Sequence, residues 1–135
     1  MNNPLRDEIK DILNSAKTIA VVGLSDNPGR TSYQVSEAMQ NAGYKIIPVN
    51  PNCSEVLGEK ALGSLSELEG PVDIINVFRR SEYLAGVAEE ASKVKADVFW
   101  AQLGLECEEA YRIAREAGMT VIMDRCIKVE HALTK

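Results

Sequence analysis

The sequence predicts an α/β fold: a parallel five-stranded sheet in three layers, with helices on both faces. Three observations predict it. Five strand-sized apolar runs recur along the 135 residues, and segments with helical spacing separate them. The first run, Thr18–Leu24, is apolar in consecutive positions, as a strand buried on both faces should be. Strands alternating with helices at this spacing call for a parallel sheet with right-handed crossovers.

In chain order, Leu5, Ile9, Ile12, Leu13 and Ala16 fall at helical intervals among charged residues. This reads as an amphipathic helix over 1–16, laid on the domain that follows. After the first strand, Tyr33, Val35, Ala38, Met39 and Ala42 repeat as a helix face, and Gly43 supplies the stop. Lys45–Val49 is the second strand, although Pro48 removes one ladder donor from it. Residues Cys53–Leu68 show little pattern and read as an irregular excursion with one helical turn.

The third strand is Val72–Phe78. Ser81 then serves as the expected N-cap of a helix reaching about Val94, with Leu84, Val87, Ala88 and Ala91 inward. Asp97–Gln102 is the fourth strand, and Glu106–Ala117 the next helix, stopped by Gly118. Met119–Met123 is the fifth strand, and the tail forms a final short helix. With no linker, repeat or low-complexity tract, residues 1–135 read as one domain.

The bulk composition excludes several functions. Apolar residues make up 45% and charged residues 26%, the profile of an ordinary globular chain. A net charge of -5 with no basic cluster argues against nucleic acid and anionic lipid as partners. Met1–Glu8 has no apolar core of a signal peptide, and the longest apolar runs are too short to span a membrane. The three cysteines, Cys53, Cys107 and Cys126, and the lone His131 have neither disulfide-framework nor zinc-ligand spacing. A reducing cytoplasm and no metal site are expected.

The chemistry gathers where strands end. The first strand breaks into Gly23-Leu24-Ser25-Asp26-Asn27-Pro28-Gly29-Arg30 before a helix begins. Unpaired N–H groups and the dipole at a helix start suit a phosphate. The carboxyl ends also deliver Asn50, Phe78-Arg79, Gln102 and Asp124-Arg125 to one edge, where open sheets form their crevice. The dinucleotide pattern G-x-G-x-x-G fails here, because Ser25 and Pro28 occupy two of its three glycine positions. The second strand ends in Asn50-Pro51, without the carboxylate that would hold an NAD ribose. The phosphate-loop pattern G-x-x-x-x-G-K-[ST] is absent too. Flavin has no strict motif to exclude it, but few aromatics are available to flank its ring.

Five blocks in order carry a family resemblance: Gly23-Leu24-Ser25 with Arg30, Ser32 and Tyr33; Ile47-Pro48-Val49-Asn50-Pro51; Val77-Phe78-Arg79-Arg80; Trp100-Ala101-Gln102 with Gly104; and Met123-Asp124-Arg125-Cys126-Ile127-Lys128 with Glu130 and His131. From about Lys17 to His131 the chain resembles the small, free-standing CoA-binding proteins, which are similar to the N-terminal CoA-binding domain of the succinyl-CoA synthetase α subunit. The resemblance implies a Rossmann-like fold that holds coenzyme A or an acyl-CoA across the carboxyl edge of the sheet. Carried over, Gly23, Leu24, Ser25 and Arg30 would surround the pyrophosphate and a nearby phosphate. Asn50 and Pro51 would sit near the adenosine, Phe78 and Arg79 near the pantetheine or ribose, and Gln102 and Gly104 along the pantetheine arm.

Catalysis does not come with the resemblance. The synthetase's phosphorylated histidine lies in a second domain, for which the present sequence leaves no room, and no catalytic residue is assigned. The expectation is therefore a non-catalytic CoA-binding protein, with a homodimer the expected assembly. The alternatives are an NAD(P)- or flavin-type oxidoreductase, and a regulatory subunit that senses CoA and docks on a partner enzyme.

Overall fold

The computed structural model describes residues 2–134. Its elements are α1 (Arg6–Ser15), β1 (Thr18–Val22), α2 (Thr31–Asn41), β2 (Lys45–Val49), β3 (Glu55–Val56), β4 (Glu59–Lys60), β5 (Val72–Val77), α3 (Leu84–Ala91), β6 (Ala96–Ala101), α4 (Glu108–Glu116), β7 (Thr120–Ile122) and α5 (Ile127–Leu133). Short 3₁₀ turns occupy Leu65–Glu67 and Ser81–Tyr83. The main sheet is parallel, in the order β2-β1-β5-β6-β7. It is the expected doubly wound, Rossmann-like α/β arrangement. The chain winds outward in one direction from β1 to β2 and in the other from β5 to β7. The reversal puts a switch point between β1 and β5, where open sheets bind ligands.

Alternation along the strands splits the core in two. Ala20, Val22, Ile75, Val77, Phe99, Ala101 and Val121 face α3 and α4, packing on Leu84, Val87, Ala88, Ala110 and Ala114. Ile19, Val21, Ile74, Val98, Trp100 and Ile122 face α1, α2 and α5, packing on Ile9, Leu13, Val35, Met39 and Ile127. The N-terminal segment is tied further by Asn3, whose side-chain amide pairs with both the N–H and the C=O of Met123, at 2.8 and 2.7 Å.

Pro48 is accommodated because β2 is an edge strand. Its carbonyl accepts the N–H of Leu62 on the side away from β1, at 2.9 Å. The missing N–H of the same residue faces that outer side and breaks no bond to β1. The irregular excursion contains a two-stranded hairpin, β3–β4, that the sequence reading missed. Its turn residues, Leu57 and Gly58, have φ of 55° and 78°. Such turns are flagged by Asn, Asp or Gly at both centres, and Leu57 hides the signal.

Two helix starts also differ from expectation. The helix expected from Ser81 begins at Leu84 and ends at Ala91, after a 3₁₀ turn. The Ser81 hydroxyl caps no turn of its own and accepts the N–H of Glu106 instead, at 3.1 Å. The helix expected from Glu106 begins at Glu108, with the Cys107 sulfur accepting the N–H of Ala110 at 3.4 Å.

Candidate functional site at the switch point

β1 stops at Val22 because Gly23 turns the chain. Its φ is +85°, and a Cβ there would stand 2.6 Å from the Phe78 carbonyl oxygen. Only glycine lets the end of β1 approach the end of β5 this closely. The loop beyond is organised by its own side chains. The N–H of Ser25 donates to the Ser32 hydroxyl at 3.0 Å, Asn27 N–H donates to the Ser25 hydroxyl at 3.0 Å, and Gly29 N–H donates to Asn27 Oδ1 at 2.9 Å. No side chain caps the start of α2, where Arg30 occupies the N-cap position. The N–H groups of its first turn therefore remain available to an anion, with the helix dipole behind them.

Two clefts meet at this turn, and Gly23, Phe78 and Arg79 line both. The first, about 500 Å³, also touches Val22, Asn50, Pro51, Asn52, the Gly63–Leu65 stretch, Val87 and Glu90. The second, about 370 Å³, is lined further by Arg30, Thr31, Ser32, Arg80, Gln102, Leu103 and Leu105. The second cleft is thus lined by three arginines and no acidic residue. Arg79 stacks over the Tyr83 ring, 4.9 Å from its centroid. Arg80 pairs with the exposed Glu82 at 3.6 Å. Neither Arg30 nor Arg79 has a carboxylate in ion-pair range among the described residues.

The structure therefore brings Gly23, Arg30, Asn50, Pro51, Phe78, Arg79 and Gln102 onto one continuous surface. Leu24, Ser25 and Gly104 do not line either cleft. The Leu24 side chain is fully buried in the core against α2, and only its backbone is near the turn. Ser25 instead braces the loop, through its N–H to Ser32 and its hydroxyl to the Asn27 N–H. Asn50 lines the first cleft, yet its polar atoms are engaged: Nδ2 donates to the Leu24 carbonyl at 3.0 Å and Oδ1 accepts Asn52 N–H at 2.9 Å. It latches the β1 and β2 loops together.

Gln102 is 5% exposed. Its Oε1 lies 3.4 Å from both the Asn76 side-chain amide and the Ile127 N–H, pointing inward. Among the described residues Nε2 has no hydrogen-bond partner and is not sealed off from solvent, and Gln102 lines the second cleft, so the group is free to donate there. Gly104 sits in the same loop and donates its N–H to Asp124 Oδ1 at 2.7 Å.

Sequence reasoning missed Gly63–Leu65, Leu103 and Leu105 as lining residues, and Thr31 beside Ser32. Thr31 and Ser32 were recoverable, because they open a helix just after the glycine turn. The 63–65 stretch was not, since it reaches the cleft through a parallel bridge between Val49 and Leu62 that no local pattern shows. His131 lies elsewhere, its ring edge-on to Tyr44 with centroids 5.6 Å apart.

Comparison with known proteins gives the chain its family. The CoA binding domain family matches residues 17–132. A Bacillus subtilis (strain 168) protein, "Uncharacterized protein YneT", is 64% identical over the whole of both chains. The α subunit of a Pyrococcus furiosus ADP-forming acetate–CoA ligase II is 30% identical, with 88% of this chain matching 28% of that subunit. A solved structure from Thermus thermophilus superposes with a TM-score of 0.92 at 36% identity, covering 100% of each chain. With its family match over nearly the full length and its sheet switch point opening on two joined clefts, the chain belongs to the CoA binding domain family.

Proposed function

We propose that the protein holds coenzyme A or an acyl-CoA non-covalently across the switch point, and does not transform it. The observation that carries this reading is the junction at Gly23 and Arg79. Two clefts of different chemistry meet there beside an uncapped helix start. CoA has a matching division. Its pyrophosphate and 3′-phosphate suit free N–H groups and guanidinium forks. Its adenosine suits the first cleft, against Pro51 and Val22. Its amide-bearing arm suits a wall with an apolar surface and one polar point, supplied by Leu103, Leu105, Phe78 and Gln102 Nε2. Ser25 and Leu24 contribute through the backbone of the turn, and Gly104 by shaping the loop beside Gln102.

An NAD-dependent oxidoreductase fits less well. The second strand ends at Asn50 without a carboxylate, and both polar ends of that side chain are already used by the protein. Ligase activity is not carried over either, because the chain spans only 28% of the ligase subunit it matches. The three cysteines are free thiols, which suits a reducing cytoplasm. No helix among the described residues is long and apolar enough to cross a membrane. A homodimer is the assembly we propose, and native mass spectrometry tests it.

A thermal-shift panel with CoA, acetyl-CoA, NAD, NADP, FAD and ATP tests the reading. A ligand at a hundredfold excess over its dissociation constant stabilises the folded state by about 2.7 kcal/mol. CoA or acetyl-CoA should raise the midpoint and NAD should leave it in place. Stabilisation by NAD alone would sink the CoA assignment. Native mass spectrometry of the same sample reports bound ligand and oligomeric state together.

A further inference from the structure

The exit of β7 holds Asp124 in the left-handed region, with φ of 57°. Among the described residues, only Leu57, in the distant hairpin turn, shares this conformation without being glycine. Side chains occupy it where the surroundings hold them there. Here the hold is mutual. Asp124 Oδ1 accepts the N–H of Gly104 at 2.7 Å, and the N–H of Asp124 donates to the Leu105 carbonyl at 3.2 Å. Two successive residues of one loop are thus clamped by one residue of another.

The turn that bears the clamp is itself fixed. Arg125 Nη1 donates to the Asp124 carbonyl at 2.8 Å, and the buried Trp100 indole donates to the Arg125 carbonyl at 2.9 Å. From the other side, Gln102 N–H donates to the Val77 carbonyl at 3.2 Å, and Glu106 N–H to the Ser81 hydroxyl at 3.1 Å. The loop so held is the far wall of the second cleft, where Gln102 presents its free amide nitrogen and Leu103 stands 66% exposed.

We infer that Asp124 is a positioning residue for the ligand's arm: it fixes the 102–105 wall so that Gln102 Nε2 and Leu103 are in place before the ligand arrives. The inference rests on the CoA reading above. A wall ordered in advance removes an ordering cost that would otherwise fall on binding. The carboxylate is a strong acceptor for a backbone N–H, and Asp tolerates the left-handed backbone better than most residues.

Two substitutions separate the clamp from the backbone shape. Asp124→Gly keeps the conformation and removes the acceptor, whereas Asp124→Asn keeps both. CoA affinity is read by calorimetry, and Gly104 amide exchange by NMR. Gly104 in the wild-type protein should exchange slowly for a surface loop. Asp124→Gly should exchange it faster and weaken CoA about fivefold, equivalent to ~1 kcal/mol. Asp124→Asn should restore the affinity, and Trp100 emission should stay the same in both variants.

Rapid Gly104 exchange in the wild-type protein would overturn the inference without any variant. So would unchanged CoA affinity in Asp124→Gly, or equal weakening in Asp124→Asn. A shifted Trp100 emission accompanying the lost affinity would assign the loss to collapse of the β7 exit and overturn it as well. Wild-type protein that does not bind CoA is the separate outcome that removes the CoA reading, and this inference with it.

Discussion

Replacing Gly23 with alanine tests the contact on which the site is built. The added methyl would stand 2.6 Å from the Phe78 carbonyl oxygen and 3.2 Å from Arg79 Cδ, at a backbone φ of +85°. The first neighbour is backbone just past the end of β5, held there by the Phe78 N–H donating to the Val22 carbonyl at 2.9 Å, and cannot swing aside. The left-handed backbone costs an alanine about 1 kcal/mol. Forcing the methyl into occupied space adds ~1–3 kcal/mol. Restriction of the unfolded chain returns less than about 1 kcal/mol. Gly118→Ala is the matched control, with φ of +92° and nothing within 4 Å of the added carbon. It carries the backbone term alone.

At about 4 °C per kcal/mol for a domain of this size, Gly118→Ala should lower Tm by ~4 °C or less. Gly23→Ala should lower it by a further ~4–12 °C, the clash alone on the same scale. Urea unfolding of both variants gives the same comparison as a shift in midpoint at constant slope. If Gly23→Ala costs no more than Gly118→Ala, the close approach of β1 to β5 is not what demands glycine, and the account of the cleft junction fails.

Two further outcomes follow from the same structure. Arg30→Ala should weaken CoA about tenfold, the loss of one charge-assisted phosphate contact, with little change in Tm because the side chain is exposed. Calorimetry showing wild-type affinity would remove Arg30 from the site. At the opposite end of the sheet, burial pushes the Asp73 carboxyl up, but the N–H groups of Lys17 and Thr18, the Thr18 hydroxyl and the Lys17 charge bring it below the ordinary 3.8. A folded value below the unfolded one gives stability that is complete above 3.8 and is lost as pH falls through the lower folded value. Asp73→Asn should flatten the acid limb of a Tm-against-pH curve, and an unchanged limb would show that other carboxylates set it.

The acid-sensitive Asp73 contact and the Gly23 turn differ in how far the sequence announces them. Gly23 follows an apolar run and precedes a helix, so its role as a turn is local and legible. The bonds from Asp73 to Lys17 and Thr18 cross 55 residues or more and leave no local trace. The same division runs through the site. Asn50, Arg79 and Gln102 could be named because each stands at the end of a strand-like run, and Arg30 because it stands where the first turn runs into a helical pattern. Their division of labour could not. Asn50 and Gln102 are both polar residues at strand ends. One spends both ends of its amide on the protein, and the other keeps its nitrogen free. Leu24 stands in the same motif, yet its side chain belongs to the core.

The sequence by itself determined the strand–helix alternation, the parallel sheet and the edge at which chemistry gathers. Hydrophobic periodicity and turn residues act over a few positions, and they leave their pattern in the order of the residues. Only the tertiary structure decided which strands flank the switch point, how two clefts join at Gly23, and that Asp124 holds the loop carrying Gln102. Those features depend on groups far apart in the chain meeting at hydrogen-bond distance, and the packing of helices on both faces of the sheet fixes that meeting.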